Sequence, residues 1–286
     1  MSEAVTYAYA VLRDEEGLAT MALRGVEGVT GAPVHLVSTS PASELAAAVS
    51  AVPAADFQES ALRRHLEDLD WLEDVARAHH SVIEALAAHT TVLPLRLATV
   101  YLDDERVRTM LREDAEGFAH ALRRLAGHLE WGVKIYVEPR PDERQPDDTR
   151  VTGTAGPAGA AGSPDALGPG RAYLRARRVQ RHSRDESYEA ARQAAERVEA
   201  IGRAMAAGHA THRVQQGALA GGPGENVVND AYLLAQETAE EFRTRVLDAA
   251  QGLSGVRIDV TGPWAPYSFA APPDTADPAT APDPAR

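Results

Sequence analysis

The stretch VTYAYAVL, residues 5–12, decides the fold at the start of the chain. Val5, Tyr7, Tyr9 and Val11 are large and apolar or aromatic, and they occupy every second position. Side chains of an extended segment alternate between two faces, so these four share one face. The pattern predicts a half-buried β-strand, which makes the first domain one that contains a sheet.

The segments that follow predict further strands and a long helix. Residues 34–38 and 45–52 are weaker strand candidates, and the apolar spacing over 60–89 predicts one long helix. TVLPL, residues 91–95, predicts a short strand. Because proline cannot donate a backbone hydrogen bond, Pro94 places this strand at the edge of its sheet.

The rest of the first domain predicts one more helix and a closing strand. Apolar spacing over 103–125 is helical, Asp103 and Asp104 are candidates for its N-cap, and a kink is expected near Gly117. Alternation returns over 131–137, from Trp131 onward, and predicts the strand that closes this domain.

The second half of the chain repeats the mixture of helices and strands. Helices are predicted over 188–205 and 235–253, and strands over 210–215, 226–234 and 256–260, where Gly262-Pro263 ends the last one. The expected fold class is therefore α+β. Each of two domains packs helices on a small, mostly antiparallel, ferredoxin-like sheet.

Proline and glycine mark the boundaries of these domains. Residues 138–170 contain six prolines and six glycines, and such a segment cannot bury enough apolar surface to offset its ordering entropy. The prediction is an N-terminal α+β domain over 1–137, a disordered linker over 138–170 and a C-terminal α+β domain over 171–270. A disordered tail rich in proline and aspartate occupies 271–286.

Composition excludes several function classes. The formal net charge of −13 argues against nucleic acid as a partner, and the absence of cysteine excludes disulfides, thiolate metal sites and a cysteine nucleophile. No apolar run approaches the length of a membrane span, so no membrane association is expected. The arginine-rich segment 171–181 is expected to be a solvated helix start, with a docking surface for an acidic partner as the alternative.

The motifs of common enzymes are missing, and no catalytic, cofactor-binding or metal-binding residues are predicted. His65, His79, His80 and His89 fall on one predicted helix, but no two of them stand four residues apart and HExxH is absent. The chain also lacks a GxSxG elbow, and the glycines of 138–170 lack the spacing of a phosphate loop.

Two features remain as candidates for a partner contact or a structural motif. Arg96 in LPLRLATVY is expected to pair with a carboxylate of its own domain, with a bidentate anion site as the alternative. TGPWAPYSF, residues 261–269, places Trp264, Tyr267 and Phe269 beside two prolines that limit the entropy lost on ordering. We call residues 261–269 the aromatic strap.

The aromatic strap has two possible roles. It closes the core, in which case Trp264→Ala would destabilise the fold by roughly 3 kcal/mol, or it presents an aromatic surface to a partner. We expect the first role, because a tryptophan exposed beside a disordered tail is an aggregation hazard.

Five segments together resemble the gas vesicle protein GvpL/GvpF family. In chain order they are VTYAYAVL, TVLPLRLATVY, HLEWGVKIYV, NVVNDAYLL and TGPWAPYSF, and they span residues 6–269. Trp131 stands in the third segment. The chain departs from the family pattern at Leu97 and Ala98, where members usually have Phe-Gly, and at Ala265, where they usually have proline.

The resemblance implies a cytoplasmic accessory protein, associated with gas vesicles, that is not an enzyme and needs no cofactor. Its implied partners are the gas vesicle shell protein and other accessory proteins, contacted during vesicle assembly or as a minor vesicle component. Unassembled shell subunits expose apolar, β-prone surface, and an acidic protein that covers it would keep them dispersed. The alternative is a ferredoxin-like small-molecule-binding or enzymatic protein with an anion site at Arg96.

The predicted linker is expected to be dispensable for folding. Removal of residues 152–168 should leave the denaturant melt of each domain unchanged, because this segment offers little apolar surface to bury. A shift above about 2 kcal/mol in either domain would show instead that the segment packs.

Overall fold

The structure is a computed structural model that describes residues 4–40, 43–65, 67–138, 169–214 and 224–270. The predicted tail, and the predicted linker apart from its end residues, lie outside the described residues. The strands are β1 (Ala4–Arg13), β2 (His35–Ser38), β3 (Leu45–Pro53), β4 (Val92–Pro94), β5 (Val100–Tyr101), β6 (His128–Val137), β7 (Gly208–Thr211), β8 (Glu225–Ala235) and β9 (Val256–Trp264).

Eight α-helices accompany these strands in the described ranges. They are α1 (Leu18–Ala22), α2 (Ala54–Phe57), α3 (Glu59–His65), α4 (Leu69–Ala87), α5 (Asp104–Glu113), α6 (Ala115–Leu125), α7 (Pro169–Met205) and α8 (Ala239–Asp248). Short 3-10 turns occur at Glu15–Gly17, Val29–Gly31, Gln236–Thr238 and Tyr267–Phe269. The α+β class predicted from the sequence is confirmed. None of the helices in the described ranges is long and apolar enough to cross a membrane.

The first sheet is built around β1. Its strand order is β2-β3-β1-β4, β5 also pairs with β1, and these pairings are antiparallel. β1 is more deeply buried than the sequence predicts, because all residues from Tyr7 to Leu12 are inaccessible to solvent. Consecutive strand residues point to opposite faces, so both faces of β1 are covered. Ala8 and Ala10, which alternate with the tyrosines, leave room for that second layer.

Two helices predicted as continuous are each divided in two. The single helix predicted over 60–89 is wrong, because Asp68 begins a new helix there. Its carboxylate accepts hydrogen bonds from the backbone N–H groups of Asp70 and Trp71 and caps α4. The predicted kink near Gly117 lies instead at Asp114, whose non-helical backbone separates α5 from α6.

The second sheet has the order β7-β8-β6-β9. The sequence places β6 in the first domain, but in the structure this strand is hydrogen-bonded between β8 and β9. Alternation identifies a strand and says nothing about its partners, which here come from far along the chain. The last helix is predicted to begin at residue 235, but it begins at Ala239, because the 3-10 turn at Gln236–Thr238 precedes it.

The chain forms two compact units whose boundaries differ from the division predicted from the sequence. One unit comprises Met1–Trp131, Tyr232–Ala239 and Gly262–Arg286, and the other comprises Gly132–Ala231 and Glu240–Thr261. Most of the aromatic strap therefore belongs to the same unit as β1 and α4. The prediction that Gly262-Pro263 ends the last strand is also wrong, because β9 continues to Trp264.

Arg96 lies on a bulge in the edge of the first sheet. β4 pairs with Ala10–Leu12 and β5 pairs with Thr6 and Tyr7, both on β1, so the bulge (residues 95–99) projects between the two pairings. Ala98 in this bulge has a φ of 60°, in the left-handed region that favours glycine. The departure from the Gly of the family pattern therefore falls on a position that requires a positive φ.

Ala98→Gly is expected to give a more stable protein than the same substitution at an alanine with an ordinary backbone conformation. Relief of the left-handed strain is worth about 1–2 kcal/mol, whereas the greater freedom of unfolded glycine costs about 0.5–1 kcal/mol. Ala32 has an ordinary φ of −76°. Ala32→Gly therefore has the same cost from the greater freedom of glycine in the unfolded chain, but it relieves no backbone strain. In denaturant melts, Ala98→Gly should be at least about 1 kcal/mol more stable than Ala32→Gly. Equal stability of the two variants would contradict the strain at Ala98.

Candidate functional site

Buried side chains from β1 and α4 hold the bulge in place. The Tyr7 hydroxyl lies 3.0 Å from His79 Nδ1, and the Ala98 backbone N–H donates to the same hydroxyl at 2.9 Å. Burial raises the pKa of Tyr7, so its hydroxyl stays protonated and donates to His79 Nδ1. The backbone of Leu95 hydrogen-bonds the His79 ring. The two ends of the bulge are thus tied to one pair of buried side chains.

A second buried tyrosine extends this network. The hydroxyl of Tyr9 lies 2.6 Å from Ser50 Oγ and accepts a hydrogen bond from the Val29 N–H at 2.7 Å. The rings of Tyr7 and Tyr9 have centroids 4.8 Å apart. A Cβ atom at Gly28 would stand 2.2 Å from the Tyr9 hydroxyl oxygen, so glycine at this position makes room for the network.

An open groove of about 690 Å³ runs beside the bulge. Pro94, Leu95 and Leu97 give it an apolar wall, and Leu97 is 36% exposed. Both ring nitrogens of His79, which also lines the groove, are engaged by Tyr7 and Leu95. The groove is therefore an apolar surface with few polar groups free to bind a small ligand.

Arg96 lines this groove, and its predicted carboxylate partner is absent from the described residues. Its carbonyl accepts hydrogen bonds from the Thr99 N–H at 3.2 Å and from Thr99 Oγ1 at 2.7 Å, which closes the turn. These bonds use only the backbone carbonyl of Arg96, and the residue itself is exposed. None of the described carboxylates therefore forms the ion pair that the sequence predicts for Arg96.

The aromatic strap is fastened to the first unit by side chains of that unit. Ala265 belongs to the hydrophobic core, and Phe269 is buried. Glu130 accepts two hydrogen bonds from Ser268, one from the backbone N–H and one from Oγ, each of 2.7 Å. Arg124 Nη2 donates to the Phe269 carbonyl at 2.6 Å. These contacts fix the end of the strap even though it forms no regular ladder there.

Two strap aromatics stay partly exposed next to the groove. Trp264 is 39% exposed and Tyr267 is 36% exposed, and both rings approach His80, with centroids 5.7 and 6.0 Å from it. The Tyr267 hydroxyl is 3.0 Å from His80 Nδ1, and His80 Nε2 faces Glu84 at 3.2 Å. Burial, followed by the charges of Glu84 and Glu130, raises the pKa of Tyr267, so its hydroxyl is the donor to His80. The expectation that Trp264 is buried in the core is wrong.

The predicted candidates thus separate into two groups. Arg96 and Tyr267 line the groove and Trp264 lies beside it, whereas Phe269 and Trp131 are internal. A Cβ atom at Gly262 would be 3.2 Å from Trp131 Cδ2, so the strap backbone runs directly over this indole. His80 and Leu97 were missed as groove residues. The signal for Leu97 was its place directly after the LPLR segment, residues 93–96, and the sequence carries none for His80.

The histidines of the described ranges do not gather into a metal site. In the ranges that the structure covers, no group of three or more His, Cys, Asp or Glu side chains stands ready to hold a metal ion. His65 stacks on Trp71 with ring centroids 4.8 Å apart. Arg175, Arg178 and Arg181 of the basic segment lie exposed on α7.

A comparison with protein families identifies the chain. The family model described as "Gas vesicle synthesis protein GvpL/GvpF" matches residues 5–271. The chain belongs to the GvpL/GvpF family. The match contains β1 from Val5 onward, the bulge with Arg96 and the whole aromatic strap, so the groove is built entirely from residues inside the family region.

Individual relatives agree with this membership. Gas vesicle protein L of Streptomyces sp. (strain CB03234) is 42% identical over 270 residues, which is 94% of each chain. Gas vesicle protein F2 of Halobacterium salinarum is 22% identical over 273 residues, or 94% of this chain and 93% of that protein.

Solved structures show the same fold. The crystal structure of GvpF from Anabaena sp. PCC7120 has a TM-score of 0.56 and 18% identity, and the match covers 94% of this chain and 96% of that one. GvpF from Microcystis aeruginosa gives a TM-score of 0.55 at 18% identity, with coverage of 93% and 99%. The mixed α+β architecture of this chain is thus the architecture of GvpF.

The buried histidine of this GvpL/GvpF chain predicts a loss of stability in acid. Burial lowers the pKa of His79 from 6.5 to about 4, so the folded state favours the neutral ring. The unfolded chain takes up the proton first, and stability present above pH 6.5 should fall by about 3 kcal/mol as the pH drops to about 4. Denaturant melts at a series of pH values measure this decrease.

A matched pair of variants isolates the contribution of His79. His79→Gln should show a shallower stability loss between pH 6.5 and 4, whereas His89→Gln, at an exposed position, should keep the wild-type slope. Identical slopes for both variants would show that His79 does not titrate differently in the folded protein.

Proposed function

We propose that this GvpL/GvpF protein is a non-enzymatic accessory factor of the cytoplasm. It binds the gas vesicle shell protein and other accessory proteins during vesicle assembly. The observation that carries the proposal is the pair of exposed aromatics, Trp264 and Tyr267, on a strap held rigidly beside an open apolar groove. Family membership supplies the biological setting.

The geometry of the strap supports a contact surface more than a core closure. Tryptophan and tyrosine contribute strongly at interfaces because they bury large area with few rotatable bonds. Here Glu130, Arg124 and Phe269 hold the strap in place without using the exposed faces of Trp264 and Tyr267. A partner therefore meets aromatic side chains whose backbone is already ordered, which lowers the entropic cost of binding.

The groove also favours a partner-binding accessory factor, or adaptor, over the alternative of a small-molecule or enzymatic site at Arg96. Such sites usually enclose their ligand and converge several polar groups on it. This groove is open and apolar, its histidines are hydrogen-bonded to other residues, and Arg96 is the one cation of the described bulge that lines it. An apolar surface of this kind suits the apolar, β-prone surface of an unassembled shell subunit.

Binding to partners should require neither nucleotide nor metal. Titration of ATP, Mg²⁺ and Zn²⁺ into the purified chain should give no saturable signal in the micromolar range. A stoichiometric nucleotide or metal complex would contradict the adaptor and favour the alternative function.

The exposed tryptophan provides the direct test of the contact surface. Trp264→Ala should reduce capture of the shell protein about tenfold or more, as at an interface hot spot, and change the free energy of unfolding by less than about 1 kcal/mol. Pull-downs of the full chain against each protein of a gas vesicle gene set, beside denaturant melts, make both measurements.

A surface leucine serves as the matched control. Leu69, the first residue of α4, is 76% exposed in the same unit, and Leu69→Ala should leave capture unchanged. Equal capture of the shell protein by wild type and Trp264→Ala would show that Trp264 of the strap does not contribute to the interface. A large loss of stability in Trp264→Ala would assign the tryptophan to the core.

A further inference from the structure

Arg96 presents a positive charge that the described part of its own unit leaves unpaired. It is exposed, lines the groove, and no described carboxylate pairs with it. Glu84, whose charge acts on the groove residue Tyr267, is already engaged by His80 at 3.2 Å. The groove therefore combines an apolar wall, aromatic rings and one available guanidinium.

The segment that follows the strap has the complementary chemistry. Residues 271–286, APPDTADPATAPDPAR, contain five prolines and three aspartates. Proline-rich segments dock on grooves lined by aromatic side chains, and their restricted backbone reduces the entropy lost on docking. Aspartate carboxylates pair with a guanidinium through charge-assisted hydrogen bonds.

The tail also starts at the groove. Ala270, the last described residue, is one of the groove-lining residues. An extended chain advances at most about 3.6 Å per residue, so Asp274 and Asp277, four and seven residues beyond Ala270, can reach at most about 14 and 25 Å from it. Because Ala270 and Arg96 line the same groove, the carboxylates of the tail are tethered close to Arg96.

We propose that residues 271–286 dock in this groove of their own chain, with prolines against Tyr267 and His80 and an aspartate paired with Arg96. Tethering next to the groove gives the tail an effective concentration in the millimolar range, well above that of any free partner. Any other ligand of the groove must displace the tail. The proposal concerns two segments of one chain and holds whether or not the groove contacts a shell protein.

Disulfide trapping tests the docking in the full-length protein. The chain has no cysteine, so a pair of introduced cysteines is the sole thiol pair. The test variant combines Leu97→Cys on the groove wall with Ala276→Cys in the tail. The matched control combines Leu69→Cys, at an exposed position of the same unit, with the same tail substitution. Non-reducing electrophoresis and peptide mass spectrometry follow disulfide formation under mild oxidation.

The expected result is a disulfide within one monomer that forms about tenfold faster in the Leu97 pair than in the Leu69 pair. Replacement of Asp274, Asp277 and Asp283 by asparagine in the Leu97 pair should slow trapping towards the control rate, because the ion pair with Arg96 is lost. Equal rates for the two pairs, or no effect of the asparagines, would overturn the proposal. A disulfide-linked dimer as the main product would place the tail on a second copy and would also overturn it.

Discussion

The hydrogen bond between the Tyr7 hydroxyl and His79 Nδ1 is the interaction on which the candidate site depends. It joins the central strand to α4 inside the core, and it leaves the hydroxyl oxygen free to accept the Ala98 N–H. The bulge is thereby held in a shape that includes a left-handed alanine. A buried polar network of this kind is stable only while every member is satisfied, so the position of Arg96 follows from the packing of β1.

The end of the aromatic strap is irregular, and specific side-chain contacts keep it ordered. Its backbone is bonded by Glu130 and Arg124, its last aromatic is buried, and Trp264 and Tyr267 are left facing outwards. The bulge lies in the first half of the sequence and the strap near its C-terminal end, and both border one groove. This convergence in a GvpL/GvpF protein is what gives the groove its combination of a cation, an apolar wall and aromatic rings.

The sequence predicted where strands lie more reliably than which segments they contact. Alternation located β1, β6 and β9, the proline-bearing apolar segment drew attention to Arg96, and the dense aromatics drew attention to the strap, because all of these signals are local. The sheet of β6, the second covered face of β1 and the missing ion pair of Arg96 depend on contacts between distant segments. Local capping divided a helix that apolar spacing predicted as continuous, since Asp68 satisfies backbone donors that periodicity does not detect. The exposure of Trp264 was mispredicted because Ala265 and Phe269, its strap neighbours, supply the burial.

Hydrogen exchange at the Ala98 amide tests most directly whether the buried Tyr7 hydroxyl fixes the bulge. In the wild-type protein this amide should exchange slowly, because it donates to Tyr7, and in Tyr7→Phe it should exchange much faster. The Leu95 amide donates to the Tyr9 carbonyl at 2.8 Å and should remain protected in both proteins. An Ala98 amide that exchanges equally slowly in Tyr7→Phe would contradict the account, because the bulge would then keep its shape without the hydroxyl.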